Sequence, residues 1–241
     1  MSLSDILRGA FRAYCRYPRE LFLVALVMVP LGLGWALVIS LLADQWILTL
    51  IVLPITFGVL GTVIGAGLIR AAADALEGTT PGFWRSYAAV IPRLDRLVLA
   101  ALCFQITVQL LMIVILGIPI AVYLLIRWLF FGQAIMLEDA GAGEAFKRSG
   151  DLVAGFWWRV FGILLVIGLV SLVPVAFVSL VLLPGLPGGM QGLGLLPAPP
   201  VVSATVTSVI GAIIAPFVVS AQTILFFDQR ERRGKAALAA P

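Results

Sequence analysis

Apolar residues run along this chain in long blocks, and polar residues fall almost entirely between those blocks. The block that decides the architecture is 97–137, 41 residues carrying one charge, Arg127. At about 1.5 Å per residue an unbroken helix of that length would reach ~60 Å, about twice the hydrocarbon thickness of a bilayer. The chain must therefore cross, turn and cross back, and Gly117-Ile118-Pro119 is the breaker cluster near the middle. Proline lacks the N–H needed inside a helix but fits its first turn. This predicts one span over 97–116 and the next over 119–137. The same reading places spans at 21–42, 47–69, 160–183 and 201–227, so that six transmembrane helices pair into three hairpins. The 43–46 turn offers Trp46 as an interfacial anchor. Residues 184–200, rich in proline and glycine and without charge, read as an irregular outer loop.

The polar intervals have a pattern of their own. Leu3, Ile6, Leu7, Ala10, Phe11 and Tyr14 recur at helical spacing, while Arg8, Arg12 and Arg16 form a row on another face. Ser2 or Ser4 can cap this helix, and Pro18 ends it. An apolar face beside an arginine row suits a helix lying flat among lipid headgroups. Two later intervals, 70–96 and 138–156, each predict a short helix, over 81–90 and 143–153. An aromatic-basic pair (Phe11-Arg12, Trp84-Arg85, Phe146-Lys147) precedes each odd-numbered span, followed seven to nine residues later by Pro18, Pro92 or Gly155. The chain thus reads as one integral membrane domain of three units, each an amphipathic elbow helix and a hairpin. Residues 1–20 form the first elbow, 21–227 the six-span bundle and 228–241 a basic tail expected to fray.

Composition sharpens this into an all-α polytopic membrane protein. Of 241 residues 62% are hydrophobic and 12% charged, with a mean hydropathy of +1.13; soluble domains carry about twice that charged fraction. All Lys and Arg except Arg127 lie before span one, between spans two and three, between four and five, or after six. By the positive-inside rule both termini face the cytoplasm. Histidine is absent and the only cysteines are Cys15 and Cys103, which leaves no metal-ligand spacing, and no cofactor motif is present. The basic residues are dispersed beside the membrane, which fits anionic headgroups and excludes nucleic acid as a partner.

Within the spans, Arg127 sits ten residues from the expected inner end of span four, about 15 Å deep by helical rise. An unpaired arginine there costs at least ~2.5 kcal/mol, and Gln105 and Gln109, one turn apart on span three, are the expected hydrogen-bond acceptors. The alternative is that Arg127 lines a polar cavity. Small residues give two expected packing faces: Pro54, Gly58, Gly61 and Gly65 on span two at steps of four, three and four, and Ser203, Thr207, Gly211 and Ala215 on span six at steps of four. Anionic-lipid contacts are expected from Arg8, Arg12, Arg16, Arg19, Arg85, Lys147 and Arg148. The carboxylates Asp139, Glu144 and Asp151 are expected to pair with Lys147, Arg148 or Arg159.

Glu138-Asp139, then Glu144-Ala145-Phe146-Lys147-Arg148-Ser149, Leu152-Val153 and Phe156-Trp157-Trp158-Arg159, with the ending Phe226-Phe227-Asp228-Gln229-Arg230-Glu231-Arg232, resemble a bacterial six-span family. It is the membrane domain attached to some glycerophosphodiester phosphodiesterases, and its stand-alone relatives. Hydrolysis in that family belongs to a separate soluble domain, so the resemblance implies a membrane module and not hydrolase activity. The expectation is a non-enzymatic module of the bacterial inner membrane that engages anionic lipids, protein partners or both, with self-association left open, in membrane homeostasis. The alternative is a small transporter or lipid-handling protein with a polar cavity near Arg127.

Overall fold

The computed structural model describes residues 2–42, 44–45, 48–177 and 200–238, and these are helical with no strand among them. Trp46 and all but the last residue of the 184–200 connection lie outside the described residues. Helix α1 (Leu3–Arg16) begins on a capping box in which the Ser2 hydroxyl accepts from Asp5 N–H while Asp5 accepts from Ser2 N–H. Pro18 cannot continue it and instead opens α2 (Pro18–Ala25), which a short turn joins to α3 (Met28–Leu41). The chain returns through a π-type turn at Leu48–Val52 and α4 (Leu53–Leu76). Next come α5 (Phe83–Ala88), α6 (Leu94–Ile113), α7 (Ile118–Arg127), α8 (Phe131–Glu138) and α9 (Ala142–Val153). The last hairpin is α10 (Trp157–Phe177) and α11 (Pro200–Leu238). Six helical stretches, Pro18–Leu41, Leu48–Leu76, Phe83–Ile113, Ile115–Glu138, Trp157–Pro174 and Thr205–Lys235, are long and apolar enough to cross a membrane. This is a polytopic, all-α membrane protein.

The central hairpin turns where expected. Helix α6 stops at Ile113, a 3₁₀ turn covers Ile115–Gly117, and Pro119 lies in the first turn of α7. A side chain at Gly117 would run into the Leu111 carbonyl, so glycine is required there by space alone. At the basic end, Gly78, Asp139 and Gly155, with φ of 80°, 59° and 78°, follow α4, α8 and α9 and turn the chain out of each helix.

The core lies toward that basic end, where the second helix of each hairpin is buried. In α4 this covers Ala66–Ile69 and Ala71–Ala75, in α8 Phe131–Met136, and in α11 Ser220, Ala221 and Thr223–Phe226. Helix α11 packs against α1, α2, α3, α4, α9 and α10 and forms the hub. Each elbow helix rests on the hairpin before it. Tyr87 of α5 fills the space beside Gly67 of α4, 2.6 Å from where a Cβ would stand, and its hydroxyl donates to the Val24 carbonyl at 2.9 Å. Phe146 of α9 packs on Trp128 and Phe131 of the second hairpin. Helix α1 rests on the third: Ile6 and Ala10 share one core with Val160, Ile163, Ile224 and Leu225. The three units therefore close into a ring.

Four expectations are corrected. The apolar face of α1 is not free to lie among headgroups as a whole; Ile6, Ala10 and Ala13 are buried against protein while Phe11 stays exposed, because the bundle supplies α1 with a partner that a flat interfacial helix would lack. Span two does not end at 69, since its helix continues through Leu76 as part of the core. The tail does not fray after 227; α11 runs on to Leu238, held by Asp228–Arg159 at 2.9 Å and Arg230–Glu138 at 3.4 Å. On span six the small face is offset by one residue. Gly211 and Thr207 are exposed, whereas Ala212, Pro216 and Ser220 are buried and Ser208 occupies the space beside Gly32 of α3. Both stripes step by four, and the close approach of α3 selects the second.

Candidate functional site

The intramembrane polar residues do not assemble as expected. Gln105 donates to the Pro54 carbonyl at 3.3 Å and Gln109 to the Leu50 carbonyl at 2.6 Å, so both bind α4 and its entry turn. The reason lies in the chain: the residue four after Leu50 is Pro54, which has no N–H to give, and the Gln109 amide takes its place. Gly58 is the residue that lets Gln105 in, since a Cβ there would fall on the Gln105 amide. At Gly61, Gly65 and Gly211 a Cβ would meet nothing within 4 Å, so of the expected packing glycines only Gly58 lies under a neighbour.

Arg127 lies beside α9 and not beside α6. Span four breaks after α7, and Ser149 of α9 closes the break, donating to the Arg127 carbonyl at 2.9 Å and accepting from Phe130 N–H at 3.0 Å. The Arg127 guanidinium lies over Gly150 and donates to the Tyr123 hydroxyl at 2.9 Å. The chain breaks after α7, and α8 beyond the break is enclosed by protein, so α9 sets the surroundings of Arg127. The two crevices described below are not lined by Arg127.

Three acids, Asp74, Glu138 and Asp228, organise the basic end; in the sequence Glu138 and Asp228 stood out only within the motifs, and none of the three had an expected partner. Asp74, fully buried, meets Arg70 at 2.8 Å and Arg85 of α5 at 3.7 Å. Glu138 holds Arg148 of α9 at 2.7 Å, and that bond raises the Arg148 pKa above its ordinary value. Asp228 binds Arg159 and Arg232 at 2.9 and 3.0 Å. Asp139 pairs with Arg93 and Arg96, not with the 147–159 cations, and Glu144 caps α9 by accepting from Gly141 N–H at 3.4 Å. A signal was present in sequence: each acid closes an apolar block. No cluster of three metal-ligating side chains occurs among the described residues.

Against this background the first elbow stands out. Arg8, Arg12, Arg16 and Arg19 are exposed, and among the described residues none forms a salt bridge. Lys147 is likewise exposed, whereas Arg85 and Arg148, themselves still accessible, pair with carboxylates. Asp5, the acid of the capping box, has a pKa held below its ordinary value because the Ser2 hydroxyl and N–H both donate to it. Beside the arginine row lies a crevice of about 770 Å³, with Val170 of α10 and Phe217 of α11 opposite Phe11. A second crevice of about 320 Å³ lies between α6 and α9, beside Trp128 and Phe146.

Residues 39–229 match the family described as Domain of unknown function (DUF7847). The chain belongs to this family. No curated protein and no solved structure matches it. The DUF7847 match begins near the end of α3, so the arginine-bearing elbow, α2 and all but the last residues of α3 lie outside the matched region.

Proposed function

We propose that this DUF7847 chain is a non-enzymatic integral membrane module that engages anionic lipid headgroups at the cytoplasmic face of a bacterial inner membrane. Membrane homeostasis is its setting, and protein partners or a second copy can join through the same face. One observation carries the reading: the arginines of α1 and its exit, Arg8, Arg12, Arg16 and Arg19, are exposed and form no salt bridge among the described residues, on a helix fixed to the bundle by its other face. Long-range attraction to anionic phospholipid then acts on a rigid row of charges, each contributing about 1 kcal/mol near the surface. The clustering of cationic loops at one end supports cytoplasmic termini. The motif resemblance to the membrane domain of glycerophosphodiester phosphodiesterases agrees with a module of this kind.

The test is lipid co-purification in polymer-extracted native discs. Wild type is expected to carry an excess of phosphatidylglycerol or cardiolipin over the bulk membrane, and the Arg8, Arg12, Arg16 and Arg19→Gln variant to lose it. The attraction should weaken as salt shortens the Debye length from about 10 Å at 0.1 M. Equal anionic content in wild type and variant would refute the proposal.

A further inference from the structure

We propose that the seam between α1 and the last hairpin is a site for one anionic phospholipid, with an acyl chain in the crevice between α10 and α11 and its phosphate against Arg8, Arg12 and Arg16. The inference rests on the anionic-lipid reading above and adds a place and a stoichiometry. The crevice is about 770 Å³ and carries all three arginines on the α1 side. A neighbouring pocket of about 240 Å³ shares Phe11, Val170 and Phe217 and reaches Pro174 and Ile213 farther along the hairpin. The larger crevice falls in the range of built small-molecule sites, about 300–1,000 Å³. Its walls away from the arginines are hydrocarbon, and a soluble anion would satisfy the guanidinium row and leave them empty. A neutral hydrocarbon would fill the walls and leave the charges without a counter-ion. An amphiphile with a phosphate at one end and an acyl chain at the other satisfies both.

The other two seams of the ring argue the same way by contrast. On the first hairpin the seam is closed by Tyr87, whose ring packs on Gly67. On the second hairpin the crevice is lined by Leu99, Cys103, Thr107, Trp128 and Phe146, with no basic side chain on its walls. Among these three seams, only the one under α1 joins an open apolar crevice to unpaired cations.

The protein carries its own reporters. Cys15 lines the α1 crevice and Cys103 the crevice beside α9, and both are free and exposed. In detergent micelles, dioleoyl-phosphatidylglycerol added to about ten times its Kd should slow maleimide labelling of Cys15 roughly tenfold, since only the unoccupied fraction reacts. Cys103 should be unaffected, and phosphatidylcholine should protect Cys15 far less. Native mass spectrometry should show one phosphatidylglycerol retained per chain, lost when Ile213→Trp or Val170→Trp fills the crevice. The wild-type labelling result stands even where a variant fails to fold. Cys15 labelling unchanged by phosphatidylglycerol overturns the site, as does full lipid retention in a folded crevice-filled variant. If anionic enrichment in native discs persists while Cys15 is unprotected, the headgroup reading stands and the crevice falls. Equal protection by phosphatidylcholine overturns the site as one for an anionic phospholipid, whatever the native discs show.

Discussion

Replacing Gln109 by leucine tests how this chain tolerates a proline inside a membrane-spanning helix. The Leu50 carbonyl has no N–H four residues on, because that residue is Pro54, and the Gln109 amide donates to it at 2.6 Å from the neighbouring helix. Hydrogen bonds between membrane helices average about 0.6 kcal/mol and reach ~1.7. A carbonyl without its i+4 donor belongs at the upper end, so Gln109→Leu should cost about 1–2 kcal/mol, roughly 5- to 30-fold in the folding equilibrium. Gln105 provides the internal contrast. Its acceptor, the Pro54 carbonyl, still has the Gly58 N–H four residues on, so Gln105→Leu should cost only ~0.6 kcal/mol. Pro54→Ala gives the Leu50 carbonyl an N–H from its own helix, and in that background the cost of Gln109→Leu should fall by about 1 kcal/mol. Reversible SDS titration in mixed micelles, followed by circular dichroism, reads all four combinations. An undiminished cost in the Pro54→Ala background would refute the reasoning, as would equal costs at Gln105 and Gln109.

Further outcomes follow from the same geometry. Gly58→Ala places a methyl on the Gln105 amide, so it should cost about as much as Gln105→Leu and add nothing to it, as a double-mutant cycle would show. Arg70→Leu leaves the buried Asp74 with only Arg85 at 3.7 Å and should destabilise by about 3 kcal/mol; adding Asp74→Asn should recover most of the loss in the same titration. The folded-state pKa of Asp5 lies below the ordinary value of 3.8, so its capping contribution is present above that value and fades as pH falls through the lowered one. Protection of the amides at the start of α1, with intrinsic exchange rates divided out, should therefore fall only in acid, and Asp5→Asn should remove that fall.

Much of the fold was legible because lipid imposes a single rule on backbone polar groups, and apolar blocks with breakers obey it. The Gly117-Ile118-Pro119 turn, the cap at Ser2 and the break at Pro18 all followed from local backbone chemistry. What failed were statements that needed to know which neighbour came close. Two stripes of small residues ran along α11, and only the approach of Gly32 in α3 distinguished them. Arg127 seemed deep by residue count, yet α9 folds back against the helix break and sets its surroundings instead. Gln105 and Gln109 were rightly taken as one turn apart, but as acceptors for Arg127, whereas both act as donors to α4 and its entry turn. Their acceptors were backbone carbonyls, which no inspection of side-chain types reveals.

The three-unit ring explains why the candidate site lies at α1 and not elsewhere. In the second and third units an arginine of the elbow helix meets the acid that closes the preceding hairpin, Arg85 with Asp74 and Arg148 with Glu138. Those pairs tie an elbow arginine to a carboxylate of the neighbouring hairpin and hold each elbow in place. The first elbow is held differently: Ile6 and Ala10 enter the apolar core and Gly9 lets Ile224 approach to 2.9 Å of where a Cβ would stand. Helix α1 therefore docks without its arginines, while Asp228 at the end of the last hairpin is bonded by Arg159 and Arg232. Apolar docking leaves the charge row outward at the one seam that also carries a large crevice. Exchanging the two docking modes should move the lipid site: an acid introduced at Leu7→Glu, beside the crevice, would neutralise the row from within. It should abolish phosphatidylglycerol retention while α1 stays docked through Ile6 and Ala10. Retention unchanged in that variant would show that the charge row takes no part in holding the lipid.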